Sequence, residues 1–298
     1  MISRRIKKSV SDHIVDIVVG AIVVVVFFMS VYPFYLSVVL SFNEGTDAAS
    51  GGIYFWPRRP TLDNYIQLVS DVKWIKAFAV TLSRTVLGTA MTVFFTTIVA
   101  YGLSHSKLIG RKIYMGILLV AMYVSGGIIP YYAVLKALGL MNSFAVYVVP
   151  GMLNLFYVLV SIAFFKAIPQ ELEDSAQVDG ARDLRIFVSI IVPIAKPLLA
   201  TIAIFVSVGH WNAWYDSAFF VQNDDLRTLA YRMMATIQRS STTQGTDISQ
   251  AGIVSMITYT PLSVQLAAMV LAVFPILAVY PFFQRYIIAG ITIGSVKG

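Results

Sequence analysis

The sequence predicts an all-α, polytopic membrane protein with six transmembrane helices, on three observations. Of its 298 residues 58% are hydrophobic and only 12% charged, with a mean hydropathy of +0.77, where soluble domains carry about 25% charged residues. Six apolar runs, at residues 13–42, 77–104, 113–135, 143–165, 198–221 and 262–283, are each long enough to cross a bilayer. Lys and Arg are shared unevenly between the two sets of connecting loops, as in chains with a fixed orientation in the membrane.

The chain opens on a basic stretch with Arg4, Arg5, Lys7 and Lys8, and the apolar run that follows is too long for a cleavable signal and lacks a small-residue cleavage site. Its β-branched run at 18–28 suits a helix in lipid, where no strand partner is available. Residues 43–76 form a polar loop with Gly45, Gly51, Gly52, Pro57 and Pro60, and its Tyr54, Phe55 and Trp56 suit the headgroup level. The second run carries Arg84 about two turns from its start, near enough to the interface to snorkel; a charge held deeper in a span is costly and marks function. The third run is interrupted by Ser125, Gly126, Gly127 and Pro130, which fits either an unwound helix beside a cavity or close packing through small residues.

After the fourth run comes the most charged segment lying between apolar runs, residues 169–197. Glu171, Glu173 and Asp174 follow Pro169 closely, and acidic groups suit the positive end of a helix dipole, so a short helix starts here. Gly180 supplies the left-handed conformation that stops it. Leu184, Phe187, Val188 and Ile191 then fall at i, i+3, i+4 and i+7, one face of a second helix. Pro193 and Pro197 introduce the fifth run, which holds a dense polar and aromatic group from Gly209 to Asp216. Residues 222–261 read as a long polar loop, and Pro275 and Pro281 are expected to bend the sixth span. No internal repeat or second soluble domain is visible, so residues 1–298 read as a single domain.

Six spans place both termini on one side. That side carries four Lys or Arg at the N-terminus, three after the second span, four around 169–197 and two in the tail, thirteen in all against eight opposite. The excess makes both termini and the charged loop cytoplasmic.

Known catalytic devices are missing from the sequence. Cysteine is absent, no Gly-rich phosphate loop ends in Lys-Ser or Lys-Thr, and there is no His-Glu-x-x-His pair or Gly-x-Ser-x-Gly elbow. His13, His105 and His210 lie far apart. No catalytic and no metal site is expected, so work must come from a partner, and the charged loop is the handle that the residues offer. The rival reading is an ion-coupled secondary transporter, for which Arg84, His210 and Asp216 are the only ionisable residues in the spans.

The spacing of the charged loop resembles the signature of ABC importer permeases, the EAA motif: Glu-Ala-Ala, three residues, Gly, nine residues, Ile-x-Leu-Pro. Asp174, Ser175 and Ala176 stand at Glu-Ala-Ala, Gly180 follows at the right distance, and Ile190 to Pro193 complete it, with Asp for Glu, Ser for Ala and Val for Leu. The run Ala100-Tyr101-Gly102-Leu103-Ser104 with Gly110-Arg111, the Ile129-Pro130 and Leu138-Gly139-Leu140 pair, and Trp211-Asn212 are similar to patterns of the sugar-importing branch, and the size is similar to its MalG-like member. The resemblance implies a permease subunit of an ATP-driven importer of oligosaccharide or polysaccharide fragments in the bacterial cytoplasmic membrane, closest to importers of alginate or another uronate-rich saccharide, working by alternating access. It implies a second, homologous permease, two ATPase subunits that bind ATP and Mg, and an extracytoplasmic solute-binding protein, with no cofactor on this chain. Glu171, Glu173, Asp174, Ser175, Ala176, Asp179, Gly180, Ala181, Phe187 and Pro193 are then the expected ATPase-coupling residues, with helix 171–178 as the coupling helix and Leu184, Phe187 and Val188 passing its motion to the spans. Trp211, Asn212, Trp214, Tyr215 and Asp216, which offer rings and polar groups to a saccharide, are the candidate lining of the pathway, the alternative being that the aromatic rings anchor the span at the interface or pack it.

Overall fold

A computed structural model describes residues 10–243 and 260–295. Arg4, Arg5, Lys7, Lys8, Lys297 and most of the second half of the predicted 222–261 loop lie outside the described residues, as do the side chains of Arg239 and Arg285. In chain order the helices are α1 (Val10–Ser41), α2 (Gly45–Ala49), α3 (Asp63–Ser70), α4 (Val72–Ser104), α5 (Arg111–Tyr123), α6 (Ile128–Ala137), α7 (Leu155–Lys166), α8 (Glu171–Val178), α9 (Asp183–Ile186), α10 (Val192–Ile194), α11 (Lys196–Asn212), α12 (Tyr215–Phe220), α13 (Leu229–Thr243) and α14 (Pro261–Ser295). Short 3-10 turns occupy Phe144–Tyr147 and Asp224–Leu226, and a π-helical turn occupies Phe187–Ile191. The chain divides into two compact units, residues 1–70 with 236–271 and residues 71–235 with 272–298.

In the first unit, α1 exposes Val, Ile and Phe on every side, from Ile14 to Phe34, as expected of a helix whose solvent is lipid. The turn after it is held by two fully buried asparagines. Asn64 Nδ2 donates to the carbonyls of Ser41 (2.9 Å) and Asn43 (2.8 Å), and its Oδ1 accepts from Ser263 Oγ (2.6 Å). Asn43 Oδ1 accepts from the Arg59 amide (2.8 Å), and its Nδ2 donates to Asp47 (2.9 Å), holding that carboxyl below its ordinary pKa. Buried polar groups are tolerated because their partners are supplied in full.

The second unit is organised around α4. Ala77, Thr81, Arg84, Gly88, Thr92, Thr96, Ala100 and Leu103 form its buried stripe, at the three- and four-residue steps of a helix packed along its whole length. Asp71 caps it, accepting from the Lys73 amide (2.9 Å), so it starts five residues before the apolar run. At one end of α4 a core gathers Ala100, Leu103, Leu118, Val158, Ile162, Phe165, Ile186 and Ile191. At the other end Leu135, Val146, Tyr147, Val148, Phe220 and Val221 pack together.

Three helices among the described residues are long and apolar enough to cross a membrane: His13–Ser41, Val72–Ser104 and Pro261–Ala278. Two helix pairs, Leu155–Lys166 with Glu171–Val178 and Asp183–Ile194 with Lys196–Asn212, are bent by 74° and 78° at short breaks, and the number reaches five only where each pair counts as one span. Within three of the predicted spans the helix is broken. The third unwinds at 124–127, where Gly127 has φ 78°, and continues as α6. The fourth is α-helical only over the 12 residues of α7, with a 3-10 turn at Phe144–Tyr147 before it; Pro150 and Gly151 interrupt it, and Asn154 restarts the helix by accepting from the Tyr157 amide. The fifth breaks after Asn212 and resumes as α12. By contrast, α14 runs as one helix through Pro275 and Pro281. The predicted 222–261 loop contains α13, an amphipathic helix the Ser- and Thr-rich sequence conceals.

Candidate coupling site and intramembrane clasp

The charged loop folds as its local chemistry dictates. Helix α8 carries Glu171, Glu173 and Asp174 in its first turn, and Ser175 Oγ donates to the Glu171 carbonyl (2.7 Å). It ends in a Schellman closure: the Gly180 amide donates to Gln177 O (2.9 Å) and the Ala181 amide to Ala176 O (2.9 Å), with Gly180 at φ 79°. A side chain on Gly180 would meet open space, so its requirement here is conformational.

The ten predicted coupling residues separate into two sets. Glu171, Asp174, Ser175, Asp179, Gly180 and Pro193 are exposed, beside exposed Leu172 and Val178. Glu173, Ala176, Ala181 and Phe187 turn inward, the alanines packing on the core around Ile162 and Ile186. Glu173 Oε2 meets His105 Nε2 at 2.9 Å, just past the end of α4. Tyr101 lies between, with ring centroids 4.6 Å from His105 and 5.0 Å from Phe187. The predicted second-helix face needs correction. Leu184 and Val188 are exposed, while Ile186, Phe187 and Ile191 are buried. The π turn at Phe187–Ile191 inserts an extra residue per turn and shifts the phase away from 3.6.

Deeper in the same unit the three ionisable residues singled out in the spans meet. Arg84 is 3% exposed and does not snorkel. Its Nη2 pairs with Asp216 Oδ2, Nη1 donates to Ala213 O (3.1 Å), Nε faces His210 Nδ1 (3.5 Å), and the guanidinium lies 4.8 Å from the centre of the Tyr147 ring. Tyr147 in turn donates to Leu226 O (2.7 Å). His210 lies against Gly88, where a methyl group would come within 2.5 Å of Nε2. The arrangement clasps α4 to α11 and α12; the full set of partners is what makes a buried arginine tolerable.

The predicted pathway residues are only partly brought together. Trp211 is a packing residue, buried at 7% exposure, donating to Ala272 O (3.1 Å) and edge-on to Phe78. Asn212 Nδ2 turns back to Val208 O (3.1 Å). Trp214 and Tyr215 are exposed, and Tyr215 joins Tyr131, Tyr132 and Phe220 in an aromatic group that no sequence motif announces. On another face of α4 a cavity of about 690 Å³ is lined by Leu82, Val86, Thr89, Phe94, Val208 and Trp211 among others, and is almost wholly apolar.

Helical in its described elements, with apolar helices that expose Val, Ile and Phe outward, the chain is a polytopic membrane protein. No protein-family model matches the chain. It is 33% identical over 273 residues to protein LplC of Bacillus subtilis (strain 168), covering 91% of this chain and 90% of that one. It is 32% identical over 287 residues to the polygalacturonan/rhamnogalacturonan transport system permease protein YtcP of the same organism, covering 96% and 99%. A crystal structure of a bacterial ABC transporter that imports the acidic polysaccharide alginate superimposes with a TM-score of 0.85 at 25% identity, over 95% of this chain and 99% of that one. The chain belongs to the sugar-transport permeases of ABC importers. It is a transport component rather than an enzyme.

Proposed function

We propose that this chain is one of two homologous permeases that move uronate-rich saccharide fragments inward, with six spans, both termini cytoplasmic and the whole of 1–298 acting as one permease domain. Two ATPase subunits bind ATP and Mg and dock on α8, and an extracytoplasmic solute-binding protein delivers the substrate. Closure of the ATPases drags α8, and the spans switch from facing inward to facing outward. A ligand shifts such an equilibrium only through a difference in affinity between the two states, so the binding protein must prefer one of them. Trp214, Tyr215 and Asp216 are the candidate saccharide contacts on this chain.

The observation that carries this reading is the exposed acidic set on α8, closed by Gly180 in register with the importer signature. The substrate class is supported by the acidic saccharides named for YtcP and for the alginate importer. The ion-coupled alternative gains no support, since Arg84, His210 and Asp216 are engaged with one another. The test is purification of the complex from native membranes. Oligogalacturonate or oligoalginate should raise ATP hydrolysis by co-purifying subunits, and uptake should stop without those subunits. Uptake that persists without them would overturn the reading.

A further inference from the structure

The contact between His105 and Glu173 has a specific chemical demand. His105 Nδ1 faces the Tyr101 carbonyl at 2.9 Å, and Nε2 faces Glu173 Oε2 at 2.9 Å. A carbonyl and a carboxylate are both acceptors, so both ring nitrogens must donate, and only the imidazolium has two N–H groups. A neutral ring would turn a lone pair toward one of them. We propose that His105, as an imidazolium, is a positioning residue that joins the coupling helix directly to α4, so that motion of α8 reaches the spans along α4 as well as through the segment after Gly180. This rests on reading 169–197 as the coupling loop. Helix α4 is placed for the task, because Leu82, Val86, Thr89 and Phe94 on its other face line the large cavity and Arg84 fastens it to α12.

The titratable groups around His105 are Glu173 on α8, Asp183 on α9 and Tyr101 on α4, while Arg111 on α5 donates to Leu103 O (2.7 Å) nearby. Burial pulls His105 down, but the Tyr101 carbonyl and the two carboxylates outweigh it and hold it above its ordinary 6.5. The joint is therefore complete below pH 6.5 and is lost as pH rises through the raised value.

The test uses the complete importer in proteoliposomes. H105A should keep its ATPase subunits, because the exposed docking residues are untouched, yet transport about tenfold less saccharide per ATP, the loss expected for one charge-assisted contact. Wild-type transport should fall as pH rises through the raised His105 value, while H105R, a permanent double donor, should work with a flat profile. E173Q keeps the shape and should lose the pH dependence without losing thermal stability. The chain has no native cysteine, so H105C/E173C can be bridged by a short bifunctional thiol reagent. Bridging should occur within this chain even in membranes without ATPase, and should restore transport to the double variant. Full transport by H105A, coincident wild-type and H105R pH profiles, or no bridging would each overturn the joint. Failure of ATPase to accompany the wild-type chain would instead strike the importer reading, and the bridging yield would still report the contact.

Discussion

The acidic face of α8 and the Arg84–Asp216 clasp are both built from charge, but they stand in opposite surroundings. On α8 no residue is buried, and Glu171 and Asp174 face water, where each interaction is screened and worth little to the fold. In the clasp the Arg84 side chain is 4% exposed, so its charge is held only by named partners. Surface acids are free to serve recognition because the fold does not depend on them. Buried charge is committed to the fold and can change only as a set.

That contrast breaks most sharply at Asp216. Asp216→Ala strands Arg84 and should cost about 3–5 kcal/mol, read as a large fall in the thermal midpoint of detergent-purified protein; Arg84→Met with Asp216→Leu should recover most of it. If Asp216→Ala alone is harmless, the clasp has no structural weight. Next in size is Gly88→Ala, whose methyl group collides with His210 and should cost about 1–3 kcal/mol, with His210→Ala restoring the midpoint. Gly180→Ala forces a left-handed backbone on a residue with a Cβ and should cost about 1–2 kcal/mol, confined to the end of α8; local hydrogen exchange would show it. Gly180→Trp projects into space that is open in this chain, so a further loss of ATPase stimulation would report the docked partner. Smallest for stability is Glu171→Gln with Asp174→Asn, within about 0.5 kcal/mol, while ATPase association should weaken most at low salt. Unchanged association would remove the acids from the docking face.

The same contrast explains what could be read in advance. The bounds of α8 and the role of Gly180 were legible because caps and acids act within a few residues of themselves. The fate of Arg84 was not, because Asp216 lies 132 positions along the chain and snorkelling is the cheaper local solution. The apolar run at 143–165 looks like a span because hydropathy sums over a window, whereas Pro150, Gly151 and the Asn154 cap act one residue at a time. Trp211 and Asp216 were grouped by proximity in sequence; the break after Asn212 sends one into packing and the other into the clasp. His105 carried no signal beyond its place after the second span, since its meaning depends on a carboxylate 68 residues away.

The π turn at Phe187–Ile191 has a consequence for the chain's tolerance of length change. Deleting one residue there would let the backbone close into ordinary α-helical bonds with no gap, and because a π turn takes up an extra residue at nearly constant phase, the segment downstream would keep close to its orientation. Ile191 and Ala195, now fully buried, would stay in the core, whereas a deletion in the regular turns of α11 would swing whatever follows it by about 100°.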